Sequence, residues 1–362
     1  MKEPRRANPF HPQFGKRPDK FVGRDNIIRD FVASLSDEND PWRTTVVTGI
    51  RGSGKTSLLS GVKEAIAPGS HAVVDVTAGS ELNQSILDQL QTVAGTPERA
   101  LAGINVGALG FSVGLDVPLK DSPHGFRHHL TQAVKDFAGR GQGVVFLIDE
   151  MHNDTGDARE FAITYQHLVR EGADVALLMA GLPHSVSAVL NDKVLTFLHR
   201  AHKVNLTNVS VALVSHLYAR AFKDGGFAAD EAALRTAAGA TFGFPYLIQL
   251  VGYYLWKNSD GPLSFADVDA ALLNSKIELF QNVYELMLRE ISPKDQEFLF
   301  AMLDDREQTA FGDLTARLGV SSGYASRYRQ RLIESGFVAP VAHGVISLTP
   351  PYIREFLESQ RC

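Results

Sequence analysis

The segment Gly49-Ile50-Arg51-Gly52-Ser53-Gly54-Lys55-Thr56 fits the pattern G-x-x-x-x-G-K-[ST] at every fixed position. Those residue types suit a loop that holds phosphate. Glycines at 49, 52 and 54 let the backbone turn tightly and aim several N–H groups inward at an anion. A helix opening near Lys55 and running through Ser57 adds its positive end. Lys55 is placed to reach β- and γ-phosphates, and the Thr56 hydroxyl to sit on Mg²⁺. The candidate phosphate contacts are therefore Gly49, Ile50, Arg51, Gly52, Ser53, Gly54, Lys55, Thr56 and Ser57.

A second pair of residues could complete that chemistry. Asp149-Glu150 directly follows the apolar run Val144-Val145-Phe146-Leu147-Ile148. A strand ending in two carboxylates on the same sheet as the loop would give Asp149 as a Mg²⁺ ligand. Glu150 would orient and deprotonate an attacking water.

The elements that must position these groups follow from periodicity. Residues 44–48 read as a strand entering the loop, and residues 57–65 as the helix leaving it. Further strands are expected at 71–76, 144–148, 174–180 and 203–206, with helices at 81–93, 126–137 and 161–168 between them. Such alternation argues for an α/β fold with a parallel sheet. Residues 1–20, with four prolines, read as an extended arm, and a helical pattern begins at Phe21. Residues 104–117 alternate as a hairpin would, giving an insertion at about 102–119 that either packs on the core or binds a partner. After about residue 208 strand signals stop, and helices are expected at 209–222, 229–238, 245–256 and 265–286.

In order along the chain, Phe21-Val22-Gly23-Arg24-Asp25, the loop at 49–56, Leu147-Ile148-Asp149-Glu150 and Gly243-Phe244-Pro245 resemble AAA+ ATPases of the origin-recognition type and the related STAND signalling ATPases. The resemblance covers about residues 21–280. It implies a P-loop NTPase core at 21–207 and an α-helical lid at 208–287. It implies ATP as the nucleotide, since the loop itself binds phosphates and not bases; no guanine-specific Asn-Lys-x-Asp motif is present. Val22 and Gly23 would lie against the adenine with Arg24 nearby, and Pro245 would approach the nucleotide from the other side. Arg200 is either a finger reaching the γ-phosphate in a neighbouring subunit of a nucleotide-dependent homo-oligomer, or an ordinary surface arginine. The chain departs from the pattern twice. The strand at 175–180 ends in Ala-Gly-Leu-Pro without an obvious polar sensor, though His184 or Ser185 could substitute, and Tyr246 stands where the initiator branch has an arginine. Both departures imply slow hydrolysis, as in a switch held by bound nucleotide.

Residues 288–362 read as a winged helix-turn-helix: helices at 293–302, 311–318 and 323–334, then wing strands at 337–339 and 345–348. On the third helix Ala325, Tyr328 and Leu332 share an inward face, while Ser326, Arg327, Gln330 and Arg331 fall largely on the other, as candidate contacts to double-stranded DNA. Winged helices also serve as protein-contact modules, so both uses stay open.

Composition sets the outer bounds. With 362 residues, 44% hydrophobic and 21% charged, the chain has room for two or three ordinary globular domains. A net charge of −5 means that any DNA contact comes from a local patch. The single cysteine, Cys362, allows no disulfide within the chain and fits a reducing cytoplasm; no run reaches the length of a membrane span. The expected function is an ATP-binding, slow Mg-dependent ATPase whose nucleotide state controls the winged helix on DNA. The alternatives are a signalling switch acting through protein contacts, and a scaffold that hydrolyses nothing.

Overall fold

The computed structural model describes residues 7–13, 23–95, 125–152, 156–192, 195–258 and 262–361. Phe21 and Val22 of the box around Gly23, and the expected hairpin at 102–119, lie outside the described residues. The chain forms two compact units, one drawn from residues 25–48 and 58–205, the other from 1–24, 49–57 and 206–362.

The first unit is built on a five-stranded parallel sheet. Its strands are β1 (Thr44–Thr48), β2 (His71–Thr77), β3 (Gly143–Asp149), β4 (Val175–Gly181) and β5 (His202–Asn205), in the order β2-β3-β4-β1-β5. Every residue of β3 and β4 is buried, as continuous apolar runs require when helices cover both faces. The edge strands alternate instead. Helices Leu82–Ala94, Phe126–Ala138 and Gly156–Arg170 supply the apolar cover, with Leu90, Leu130, Phe137 and Phe161 in one core with Val74 and Phe146. Thr48 pairs with Gly181 and Ile148 with Met179, so β1 and β3 end on the same edge of the sheet with β4 between them. In parallel sheets that carboxyl edge is where ligands bind.

In the second unit, helices Val211–Asp224, Glu231–Ala240, Pro245–Asn258 and Phe265–Leu279 pack around Tyr218, Phe222, Leu234 and Trp256. The arm expected to be simply extended is anchored here. Phe10 is 1% exposed, with its ring 5.6 Å from Tyr218 and 6.0 Å from Phe222. A Cβ at Gly252 would lie 2.5 Å from that ring, so glycine is what admits it. The helix expected over 265–286 is interrupted by a π-turn at Phe280–Tyr284 and resumes as Glu285–Glu290.

The C-terminal residues bring helices Pro293–Ala301, Phe311–Leu318 and Ser322–Glu334 together with strands β6 (Gln308–Ala310), β7 (Val338–Ala342) and β8 (Val345–Leu348), paired antiparallel as β6-β8-β7. This order agrees with a winged helix-turn-helix. The turn is set by Gly319, which ends its helix at φ 63°, and by Ser321, whose Oγ accepts from the N–H of Tyr324 to cap the next. β6 and a last helix, Ile353–Gln360, were not expected from sequence. The helix buries Ile353, Phe356 and Leu357 in the core of this module.

Candidate nucleotide site

The loop leaves β1 at Thr48 and feeds the helix Lys55–Ala65, the strand–loop–helix order expected. Gly52 and Gly54 take φ values of 82° and 88°, a left-handed conformation that favours glycine. The Lys55 Nζ donates to the carbonyls of Gly49 at 2.8 Å and Ile50 at 3.1 Å, which places its charge within the turn of the loop. The Ser53 hydroxyl is buried without a hydrogen-bond partner, and the first-turn N–H groups at Lys55, Thr56 and Ser57 precede any intrahelical acceptor. An orphaned hydroxyl, an ammonium and the N–H groups of a first helical turn in one loop are the donor set that a polyphosphate satisfies.

The Gly23-Arg24 box and the Gly-Phe-Pro turn are knitted together by residues 207–209. Arg24 is 6% exposed; its Nη2 donates to the Thr207 carbonyl while its Nε has no partner, and burial lowers its pKa. Val209 donates to the Gly243 carbonyl at 2.8 Å, and a Cβ at Gly243 would fall 1.8 Å from the Val209 oxygen, so only glycine fits. From that turn Phe244 and Tyr246 press on the loop: the Tyr246 N–H donates to the Gly52 carbonyl at 3.2 Å, and a Cβ at Gly52 would meet the Phe244 ring at 2.8 Å. The Tyr246 hydroxyl accepts from Asn282, on the π-turn, at 3.2 Å. Pro245, expected to face the nucleotide, opens its helix immediately beside this loop contact. Two further loop side chains meet the C-terminal part of the same unit. Arg51 pairs with Glu290, and Ile50 fills the space a Cβ would take at Gly336.

At the end of β3, Asp149 is buried and Glu150 is exposed. The Asp149 Oδ1 accepts from the Glu150 N–H at 2.9 Å, and its carbonyl accepts from Ala78 at 2.8 Å. Glu150 takes a left-handed φ of 53°, while the next N–H, of Met151, returns to the Ala180 carbonyl at 2.8 Å. A left-handed conformation is uncommon at a non-glycine residue. The end of β4 is closed: a Cβ at Gly181 would lie 2.7 Å from the Met151 carbonyl. His184 is exposed and Ser185 half-buried on the helix Pro183–Leu190 that follows. Arg200 is exposed at the end of the 3₁₀ turn Thr196–Arg200.

Residues 20–179 match the family described as an AAA ATPase domain. Over nearly the whole chain the structure is similar to the Walker-type ATPase PABY2304 of Pyrococcus abyssi, at a TM-score of 0.67 and 16% identity, covering 94% of this chain and 97% of that one. It is also similar to the Aeropyrum pernix ORC2 protein in its ADPNP–ADP complexes, at 0.65 and 14% identity, covering 96% of each. The fold is that of a P-loop AAA+ ATPase. An AAA+ core implies nucleotide binding, and the fit of the loop's donors to a polyphosphate agrees with it. Residues 281–357 match a second family, described as a domain of unknown function, DUF8462. No curated protein matches the chain.

The candidate DNA contacts do not form one free face. Arg331 grips Asp295 of the first helix of the module through Nη2 at 2.8 and 2.9 Å and stacks 4.5 Å over Tyr328. Asp295, 3% exposed, also accepts from Ser292 in a capping box, so this arginine neutralises a buried carboxylate. The Ser326 hydroxyl donates back to the Ser322 carbonyl, and Gln330 donates to Glu334. Arg327 is exposed. Sequence reasoning missed Glu290 and Gly336, which reach the loop from distant segments, and Asn282, which holds the Tyr246 hydroxyl beside it. Only the positive φ implied by Gly336 after a helix hinted at a special position.

Proposed function

We propose that the chain binds ATP with Mg²⁺ and hydrolyses it slowly, and that its nucleotide state controls the C-terminal module. The observation that carries this reading is the loop itself: Lys55 and an unpartnered Ser53 hydroxyl at the head of a helix, with Tyr246 and Arg51 tying the same loop to the lid and to Glu290. In this reading Thr56 and Asp149 supply the hard oxygen donors that Mg²⁺ prefers. When bound, the metal offsets charge on the β- and γ-phosphates. Lys55 holds the phosphates, and exposed Glu150 orients and deprotonates the attacking water. Gly23 and Arg24, with Val22, flank the base, and Pro245 opens the lid helix. Exposed Arg200 serves as the finger to a neighbouring copy in a nucleotide-dependent oligomer. Tyr246 in place of an arginine, and a β4 end without a polar group, support slow turnover. Among the described residues no helix is long and apolar enough to cross a membrane, and the reading places the protein in the cytoplasm.

The module's own target is read as double-stranded DNA, through Arg327 with Ser326 and Gln330 on the third helix. A second reading, in which the module acts by protein contacts as in STAND switches, is favoured by the engagement of Arg331 with Asp295 and by the two loop contacts at Glu290 and Gly336. Titration of labelled duplex at low salt with ATP and Mg²⁺ separates them. A shift that weakens steeply with salt supports the first reading, and no shift removes it.

A further inference from the structure

The phosphate pattern fixes glycines, lysine and threonine but leaves the residues at 50 and 51 open. In this chain both are used, and both reach the C-terminal part of their unit. Arg51 pairs with Glu290 while its Nε is buried with no hydrogen-bond partner. Glu290 is the last residue of the helix Glu285–Glu290, where the negative end of a helix disfavours a carboxylate, so it needs a cation. Two residues later Ser292 caps the helix Pro293–Ala301, which makes Glu290 the junction between the lid helices and the C-terminal module. At Gly336, with φ 81°, the chain turns out of the third helix of that module, and a Cβ there would lie 2.0 Å from the Ile50 Cγ2.

We propose that Glu290 is a positioning residue for nucleotide binding, acting through Arg51. It holds the Arg51 guanidinium in the absence of polyphosphate and competes with phosphate oxygens for it. The chemistry is symmetrical. A guanidinium forks onto a carboxylate or onto a phosphate with the same donors, and one fork cannot serve both. The side chains of Arg51 and Glu290 are 27% and 46% exposed, so the pair is partly screened by water and yields to a polyanion seated in the loop. This inference rests on the nucleotide-binding reading given above.

The test is equilibrium titration of a fluorescent ATP analogue into the native chain and into Glu290→Gln, Glu290→Asp, Arg51→Ala and the Arg51→Ala/Glu290→Gln double variant, with melting curves run alongside. Glu290→Gln is expected to bind the analogue about fivefold more tightly, the scale of one partly exposed ion pair. Glu290→Asp is expected to stay near native, and Arg51→Ala to bind more weakly. In the Arg51→Ala background, Glu290→Gln is expected to change nothing, because a residue with only a structural role would act equally in both backgrounds. Equal shifts in the two backgrounds, or no tightening in Glu290→Gln, overturn the inference while leaving nucleotide binding intact. A native chain that binds no analogue overturns the nucleotide reading itself, and the inference with it.

Discussion

The backbone N–H of Tyr246 donates to the carbonyl oxygen of Gly52 across 3.2 Å. Pro245 occupies the first turn of its helix and has no N–H, so Tyr246 carries one of the donors that no intrahelical carbonyl can satisfy. The loop supplies that acceptor. The Tyr246 hydroxyl is in turn held by Asn282 from the π-turn at Phe280–Tyr284, a local widening that often marks a functional position in a helix. The helix Pro245–Asn258 therefore holds the loop from outside, at Gly52.

Gly52→Ala is expected to damage the loop directly. A side chain at φ 82° costs about 1–2 kcal/mol by itself, and its Cβ would lie 2.8 Å from the Phe244 ring. Affinity for a fluorescent ATP analogue should fall at least about tenfold, since 1.4 kcal/mol is a factor of ten. Asn282→Ala should cause a smaller loss in the same titration, because it removes one hydrogen bond to Tyr246 and leaves the backbone intact.

Glu150→Gln should separate binding from chemistry. The amide keeps the shape and the exposed position of Glu150 but cannot take a proton. Phosphate release is expected to fall about a hundredfold or to background, the usual contribution of a general base. Analogue affinity should stay near native. Equal phosphate release from the two proteins would favour the scaffold reading instead.

Phe10→Ala tests the anchoring of the arm. Its ring is buried against Tyr218, Phe222 and Trp256, and emptying such a site costs about 3–5 kcal/mol. Urea unfolding followed by tryptophan fluorescence should report that loss, since Trp256 lies 6.3 Å from the ring.

The core of the fold was legible because its signals are local. The fully apolar 144–148 run, the loop glycines and the Asp149-Glu150 step each carry their reason within a few residues. What sequence did not show depends on partners far away in the chain. Phe10 looked like part of a polar arm because its pocket is made by residues 218–256, and Gly252 gives no hint of what it admits. Arg331 fell on the polar side of its helix by periodicity, yet a carboxylate 36 residues earlier claims it. The π-turn has no composition of its own; it appears where Tyr246 and Tyr284 each require a fixed partner.

His71 should make stability depend on pH. Burial lowers its pKa from the usual 6.5, reinforced by Arg43 and opposed by the attraction of Asp174. Between pH 6.5 and the lowered folded value the unfolded chain takes up a proton that the folded chain refuses. The contribution is therefore complete above pH 6.5 and is lost as pH falls below it. Urea midpoints at neutral and mildly acidic pH should fall more in the native chain than in His71→Gln; parallel falls would remove His71 as the cause.

Arg327→Ala and Arg331→Ala should part company although both arginines lie on the third helix of the C-terminal module. Arg327 is exposed, so its loss should leave the melting temperature within experimental scatter. If the module binds duplex DNA, the same change should weaken binding and lower the salt slope by about one, as for a single lost phosphate contact. Arg331 instead neutralises Asp295, which is 3% exposed. Its removal leaves that carboxylate buried without its cation, at a cost of about 1–3 kcal/mol for an unsatisfied group. Arg331→Ala should therefore melt earlier, whether or not DNA is present. Replacing Asp295 with Asn in the same chain should recover part of that loss, because the buried charge is gone while the capping contact to Ser292 can remain. Equal melting temperatures for the two arginine variants would show that the Asp295 pair adds nothing to the module's stability.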